Sequence, residues 1–444
     1  MLGWKPKIKL QTLAASERKQ KLIITPPGKV TRSVRASLNL EEASVEGSEA
    51  GLDLTLLGKF KARITCTHRR INAVVVEVDE NKVAGLEKAL EERGYKVERS
   101  MPMAPLLDLS VPQMSVDSVW RLGFTGRGIR VGVADTGIDA SYSDFKGRLI
   151  DYDDFTDSDL SDKVGHGTHV CGIIAGAGSR YRGVAPAACL IVAKVLTEAG
   201  GTSADVIAGL SWLSTQKVDV INLSLGGAGN PGDPLARECE ALVKDGIIVC
   251  VAAGNEGPDP STIGSPGCAP SVITVGAVDK NDRLASYSSR GPVKWRRRII
   301  SKPDLLGVGG GVGGDSEPCL YMPGIISAKS RKMGKSPCDV QPAGSIKKYI
   351  RMSGTSMATP HVTGVVALLV ESFRRSQLPF DPASIKDILQ RSCKKLKCTA
   401  DEQGAGRVDS LSAIRLAQTC MARVRPRRSP LAATSESASA AAES

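Results

Sequence analysis

The chain has 444 residues, 41% hydrophobic and 24% charged, with 4% aromatics and 46 glycines, a balance that excludes a collagen, a coiled coil and a wholly disordered polymer. No run approaches the roughly 18 apolar residues of a membrane-spanning helix, so neither an integral membrane protein nor a membrane partner is expected. The formal net charge of +12 is scattered over the first forty residues, Arg296–Arg298, Lys394–Lys397 and Arg423–Arg428. No interleaved aromatics accompany it, as a single-strand platform would need, so no nucleic-acid partner is expected either.

Residues 1–58 read as a loosely structured, polar lead-in. From Lys59 the pattern tightens into a small α+β unit spanning 59–112. ARIT and INAVVVEV look like strands, Val83, Leu86 and Leu90 recur at helical spacing, and KVERS supplies a further strand. MPMAPLLDLSVPQM, with three prolines, reads as its extended connector. Over 113–420 the apolar runs GIRVGVAD, CLIVAKVL, DVINLSL, IIVCVAAG and SVITVGAV lack strict alternation, as strands buried on both faces do. Helical stretches separate them. This alternation predicts an α/β fold, a doubly wound, mostly parallel sheet flanked by helices, with ligands at the carboxyl ends of its strands. Residues 421–444 are low-complexity and are expected to be disordered.

The eleven cysteines do not form a secreted disulfide framework. Cys171, Cys189 and Cys250 lie in apolar runs and read as buried, while Cys319/Cys338 and Cys393/Cys398 are pairs that could form. The basic N-terminal stretch has no apolar signal core. A cytoplasmic protein with mostly free thiols is expected, or a secreted one if the true start lies elsewhere. No CxxC pair has zinc spacing and only four histidines exist, so no metal site is expected.

Three segments place a reactive side chain at the end of a strand or the start of a helix. In VGVADTGID, Asp135 directly follows a strand; a partly desolvated carboxylate there needs a partner such as an imidazole N–H, although turn capping would also explain it. In GHGTHVCGII, His166 sits between two glycines at a helix start, with His169 one turn on. The HExxH spacing and glutamate of a helical zinc site are missing. In MSGTSMATPHVTGVVALL, Ser356 opens a long apolar helix, where the dipole favours a neighbouring oxyanion; Ser353 or Thr355 would serve equally well as a cap.

In this order, and separated by 31 and 190 residues, DTGID, HGTHVCG and SGTSMATPHV closely resemble the three signatures of the subtilisin-like serine proteases, over roughly residues 115–420. The resemblance implies a serine endopeptidase acting on proteins or peptides through Asp135, His166 and Ser356 and an acyl-enzyme intermediate. It further implies Asn255 of VAAGNEG as an oxyanion donor, with Gly254 beside it. Ser224, Leu225 and Gly226 of NLSLGG become the edge that binds extended substrate, and Gly264 of STIGSPG the open wall of an apolar specificity pocket. The α+β unit resembles, more diffusely, an inhibitory propeptide removed by self-processing between about Pro102 and Val111. No cofactor is required for the chemistry. Asp144 could be one calcium carboxylate, but the loop AGAGSRYRGVAP is short and lacks an Asn/Asp set, against the six to eight oxygens calcium takes. After KPDLLGVGGGVGG a Lys-rich insertion runs to Tyr349, near the cleft in sequence terms. A catalytically silent binding protein on the same fold is the competing reading, and a sedolisin-type protease is disfavoured because His166 stands where that type has a glutamate.

Overall fold

The computed structural model describes residues 19–26, 52–68, 73–99, 107–178, 181–311, 324–340 and 349–424, and the chain divides into two units, Met1–Met103 and Ala104–Ser444. The expected disordered tail lies outside the described residues from position 425 onward.

The first unit contains β1 (Lys19–Thr25), α1 (Leu54–Lys59), β2 (Arg63–His68), β3 (Ala73–Asp79), α2 (Val83–Glu91) and β4 (Lys96–Arg99). Its sheet has the order β2-β3-β1-β4, antiparallel throughout. Val74, Val76 and Val78 alternate inward from β3 to meet Leu22 and Ile24 of β1 and Val83, Leu86 and Leu90 of α2. The helical stripe falls where the spacing puts it. The lead-in expectation is corrected: β1 is a central strand, with Lys19 opposite Asp79 and Leu22 opposite Arg99, and α1 is capped by Asp53, whose Oδ1 accepts from Leu56 N at 2.9 Å.

The second unit begins with α3 (Leu107–Gln113) and α4 (Val116–Arg121), followed by β5 (Arg130–Asp135), β6 (Leu149–Asp154), α5 (His166–Ala175), β7 (Cys189–Lys194), α6 (Ser203–Thr215), β8 (Val220–Leu223), α7 (Pro234–Lys244), β9 (Ile248–Ala252) and β10 (Ile273–Val278). A hairpin of β11 (Val293–Trp295) and β12 (Arg298–Ile300) precedes β13 (Leu305–Val308). Then come β14 (Ile325–Ala328), β15 (Asp339–Val340), β16 (Tyr349–Met352), α8 (Thr355–Arg375), α9 (Pro382–Ser392), α10 (Ala400–Gln403) and α11 (Ser410–Val424).

Seven strands form one sheet in the order β13-β10-β9-β8-β5-β7-β6, parallel at every pairing. Successive residues serve opposite faces. Val131 and Val133 of β5 join the layer of α5, α8 and α11, while Ala134 joins that of α6 and α7. Each such fully buried valine contributes about 1.5–3 kcal/mol. The sequence order reverses at β5, which has β8 on one flank and β7 on the other, and such a switch point opens a crevice at the strand ends. A three-stranded antiparallel sheet, β14-β16-β15, stands beside α5.

The connector is only partly as expected. Its end is the helix α3, Pro112 included, because burial of Val111 and Met114 outweighs the one backbone bond that proline removes. Cys171, Cys239, Cys250 and Cys268 are buried free thiols, and Cys393 and Cys398, allowed as a pair by the sequence, are both free. Cys338 is disulfide-bonded, and Cys319 lies outside the described residues. Among the described residues no helix is long and apolar enough to cross a membrane.

Candidate active site

Asp135 ends β5 completely buried. Its Oδ1 accepts from the backbone N–H of Thr136 at 2.7 Å and pairs with His166 Nδ1 at 2.7 Å. His166 is the first residue of α5, with its side chain 24% exposed. Burial opposes a charge on this imidazole. The Asp135 carboxylate, its hydrogen bond and the charge of Asp162 outweigh that, and the pKa lies above the usual 6.5.

The glycines around His166 serve close approach. A Cβ on Gly167 would lie 2.1 Å from Gly137 O and 3.2 Å from Asp135 Oδ1, so only glycine lets the start of α5 abut the end of β5. Gly165 has φ +81°, which favours glycine in its own right.

Asp162, not singled out by the sequence reading, organises both loops. Its Oδ1 accepts from Thr136 Oγ1 at 2.8 Å and Gly165 N at 2.7 Å. Its Oδ2 accepts from Thr168 N at 2.8 Å and Thr168 Oγ1 at 2.6 Å. A carboxylate at a helix N-terminus satisfies orphan N–H groups and complements the dipole. The signal was the acidic residue four positions before His166.

His169 is buried and neutral. Both oxygens near its Nε2 are carbonyls, Ile325 O at 3.0 Å and Ile350 O at 3.2 Å, so Nε2 carries the proton and ties α5 to β14 and β16. Burial, with His166 nearby, pushes its pKa down to about 3. His169→Gln should therefore cost about 1–3 kcal/mol in urea unfolding and change kcat/KM by less than about threefold. A folded, inactive variant would make His169 part of the chemistry.

Ser356 is the second residue of α8 and donates its hydroxyl to Ser224 O at 3.0 Å. Ser224 Oγ in turn donates to Ser356 O at 2.9 Å and accepts from Asn222 Nδ2 at 2.9 Å. Asn222 Oδ1 accepts from Thr363 Oγ1 on α8 at 2.8 Å. The end of β8 is thus stitched to the helix that carries Ser356. The Ser356 hydroxyl is turned to Ser224, and hydrogen bonds at such sites commonly reach their working geometry only with substrate bound.

Asn255 is exposed, and its Oδ1 accepts from Thr355 N at 2.9 Å and Thr355 Oγ1 at 3.0 Å. That leaves its Nδ2 as the end able to donate. Gly254 lies beside it with φ +107°. Its carbonyl accepts from Thr355 Oγ1 at 3.2 Å.

Beyond Leu225 and Gly226, Gly227 and Ser265 exchange backbone bonds of 2.9 Å in both directions. A Cβ on Gly264 would lie 2.1 Å from Gly227 O. Gly264 is therefore required by this backbone contact. Glu256, also unremarked in the sequence, brings a carboxylate next to Gly254 and accepts from Ser289 Oγ at 2.8 Å.

Asp144 is buried beside Tyr349, and Arg148 Nη1 donates to Ala175 O and Pro186 O. Among the described residues no group of three His, Cys, Asp or Glu side chains could hold a metal.

The family model for subtilases (peptidase S8) matches residues 126–407. The chain is a subtilase. Serine protease AprX of Bacillus subtilis is 37% identical over 352 residues, covering 72% of this chain and 74% of that protein. The membrane-bound transcription factor site-1 protease of Rattus norvegicus is 32% identical over 316 residues, 68% of this chain but only 26% of that much longer protein. Among solved structures, a protease of Pseudoalteromonas arctica aligns with a TM-score of 0.58 and 27% identity, over 72% of this chain and all of that one. This subtilase has the parallel α/β sheet of its family. It is a serine-type endopeptidase whose substrates are polypeptides.

Proposed function

We propose that Ser356 attacks the peptide carbonyl, that His166 takes its proton through Nε2, and that Asp135 holds the imidazole and stabilises its charged form. The 2.7 Å contact between Asp135 Oδ1 and His166 Nδ1 carries this reading. A carboxylate only accepts there, so the proton belongs on Nδ1 and Nε2 is left as the base. Substrate laid along Ser224–Gly226 as an added strand would take over Ser224 O, releasing the Ser356 hydroxyl toward His166. The Asn255 amide and the Ser356 backbone N–H would then receive the oxyanion. Water hydrolyses the acyl-enzyme by the same proton path in reverse. The test is mass spectrometry after a fluorophosphonate probe, with the adduct expected on Ser356; an adduct on Ser353 would overturn the assignment.

In this reading Asn255→Ala lowers kcat by about 10²–10³-fold with KM nearly unchanged, since the donor acts on charge that exists only in the transition state. A loss confined to KM would make Asn255 a ground-state contact. His166 must be neutral to act, so kcat/KM falls as pH drops through its pKa. That pKa is raised, mainly by Asp135 against the opposing effect of burial, so the acid limb should have its midpoint above 6.5; a midpoint below it would contradict the paired geometry.

The first unit is read as a propeptide, removed by an intramolecular cut. Ser110, Val111 and Met114 are buried in the peptidase unit, and Ser110 Oγ lies 2.9 Å from His361 Nε2. A cut inside α3 would destroy that anchor, which narrows the processing window to 102–106. No metal enters any step.

A further inference from the structure

A cavity of about 420 Å³ is not used by the reaction as described. Its walls are the turn after β5, with Tyr142, and the β14–β15 segment, with Lys329, Arg331, Met333, Lys335 and Asp339. We propose that it is a subsite for an acidic side chain on the leaving-group side of the scissile bond, with Arg331 and Lys335 as its cationic wall. The proposal rests on the reading of Ser356 and His166 as the reacting pair.

Position is the first argument. A Cβ on Gly165 would lie 2.7 Å from Met333 Sδ, so Met333 rests on the residue that precedes His166. Ser330 Oγ donates to Asp162 O at 2.6 Å, and Arg331 N donates to Asp139 Oδ2 at 2.8 Å. The insertion is thereby fastened to both loops that hold the Asp135–His166 pair. Ser224–Gly226 leave β8, on one flank of β5, whereas Gly165 belongs to the connection from β6, beyond the other flank. A substrate whose acyl part lies on Ser224–Gly226 must send its amine part across His166 toward Met333.

Charge is the second. Lys329 is buried and donates to both oxygens of Asp339, which neutralises the pair. The Arg331 guanidinium is 67% exposed and reaches Asp139 only at 3.5 Å. That carboxylate already accepts from Arg331 N, Ser141 N and Ser141 Oγ. Two cations therefore border the space, Arg331 held loosely by Asp139 and Lys335 with no ion pair among the described residues. Met333 and Tyr142 offer apolar surface for the methylene stem of a glutamate, and charge-assisted bonds to its carboxylate are the stronger kind.

The experiment uses active enzyme prepared from the full chain and matched quenched-fluorescence peptides. Each carries Glu, Gln or Lys at one of the three positions after the scissile bond. At one position Glu should exceed Gln about tenfold in kcat/KM, mostly through KM, with the ratio shrinking at high salt. In the Arg331→Ala/Lys335→Ala variant the Glu:Gln ratio should fall toward one. Lys335→Glu, a change at an exposed residue, should move the preference toward Lys. A flat ratio in the unaltered enzyme, or a ratio that neither variant changes, overturns the subsite. Cleavage of the Gln peptides with a probe adduct on Ser356 would leave the peptidase assignment standing in that event. Failure to cleave any peptide, with no adduct, removes both.

Discussion

Ser356→Ala should yield a folded protein whose turnover is lowered by about 10⁶-fold, the scale of losing a triad nucleophile, and which takes no fluorophosphonate. The Oγ makes one hydrogen bond, to Ser224 O, at the solvent-accessible mouth of the crevice, where water can replace it. Ser224 Oγ bonds to the backbone carbonyl of residue 356, a contact that alanine keeps. The stability change should therefore be under about 1 kcal/mol in urea unfolding. The purified variant should also remain full length on a denaturing gel. Retained turnover, or processing of a variant purified without added protease, would show that another group supplies the nucleophile.

Asp135→Asn should lower kcat by about 10⁴-fold and move the acid limb of the pH profile downward. Asp135 Oδ2 is buried with no hydrogen-bond partner among the described residues. An asparagine that keeps its oxygen at the Oδ1 position retains the bonds to Thr136 and His166 but buries an unpaired NH₂ where Oδ2 stood. The opposite orientation presents a donor to His166 Nδ1 and forces the wrong tautomer. Both orientations lose the charge that raises the His166 pKa. A pH profile that did not move, with kcat reduced, would mean that Asp135 acts through packing alone.

Five of the seven parallel strands were legible because each is a short apolar run that needs no partner to be recognised, whereas β6, LIDYDD, is half charged and β13 is only four residues long. The candidate reactive side chains were legible because their motifs hold local geometry, a strand end or a helix start, within a few letters. β1 was not, since KQKLIIT has few apolar residues and pairs with Ala73–Asp79, fifty to sixty positions away. α3 was not, since Pro112 argues against a helix locally and burial of Val111 and Met114 decides for one. Asp162 escaped because its four hydrogen bonds converge from two loops. The glycines at 167 and 264 each mark a point where two backbones touch, which a linear sequence does not display.

The helix α8 bears on the order in which the molecule is made. It is buried along most of its length and packs against β8, β9, β10 and β13, all earlier in the chain. During synthesis the ribosome delivers Asp135 and His166 long before Thr355–Arg375 emerges. Long-range contacts of this kind close slowly, and until they do Ser356 has neither its Ser224 partner nor the Asn255–Thr355 clamp. On the proposed role of Ser356, the nascent chain has no assembled site for most of its translation, a safeguard that comes from the order of the elements along the chain.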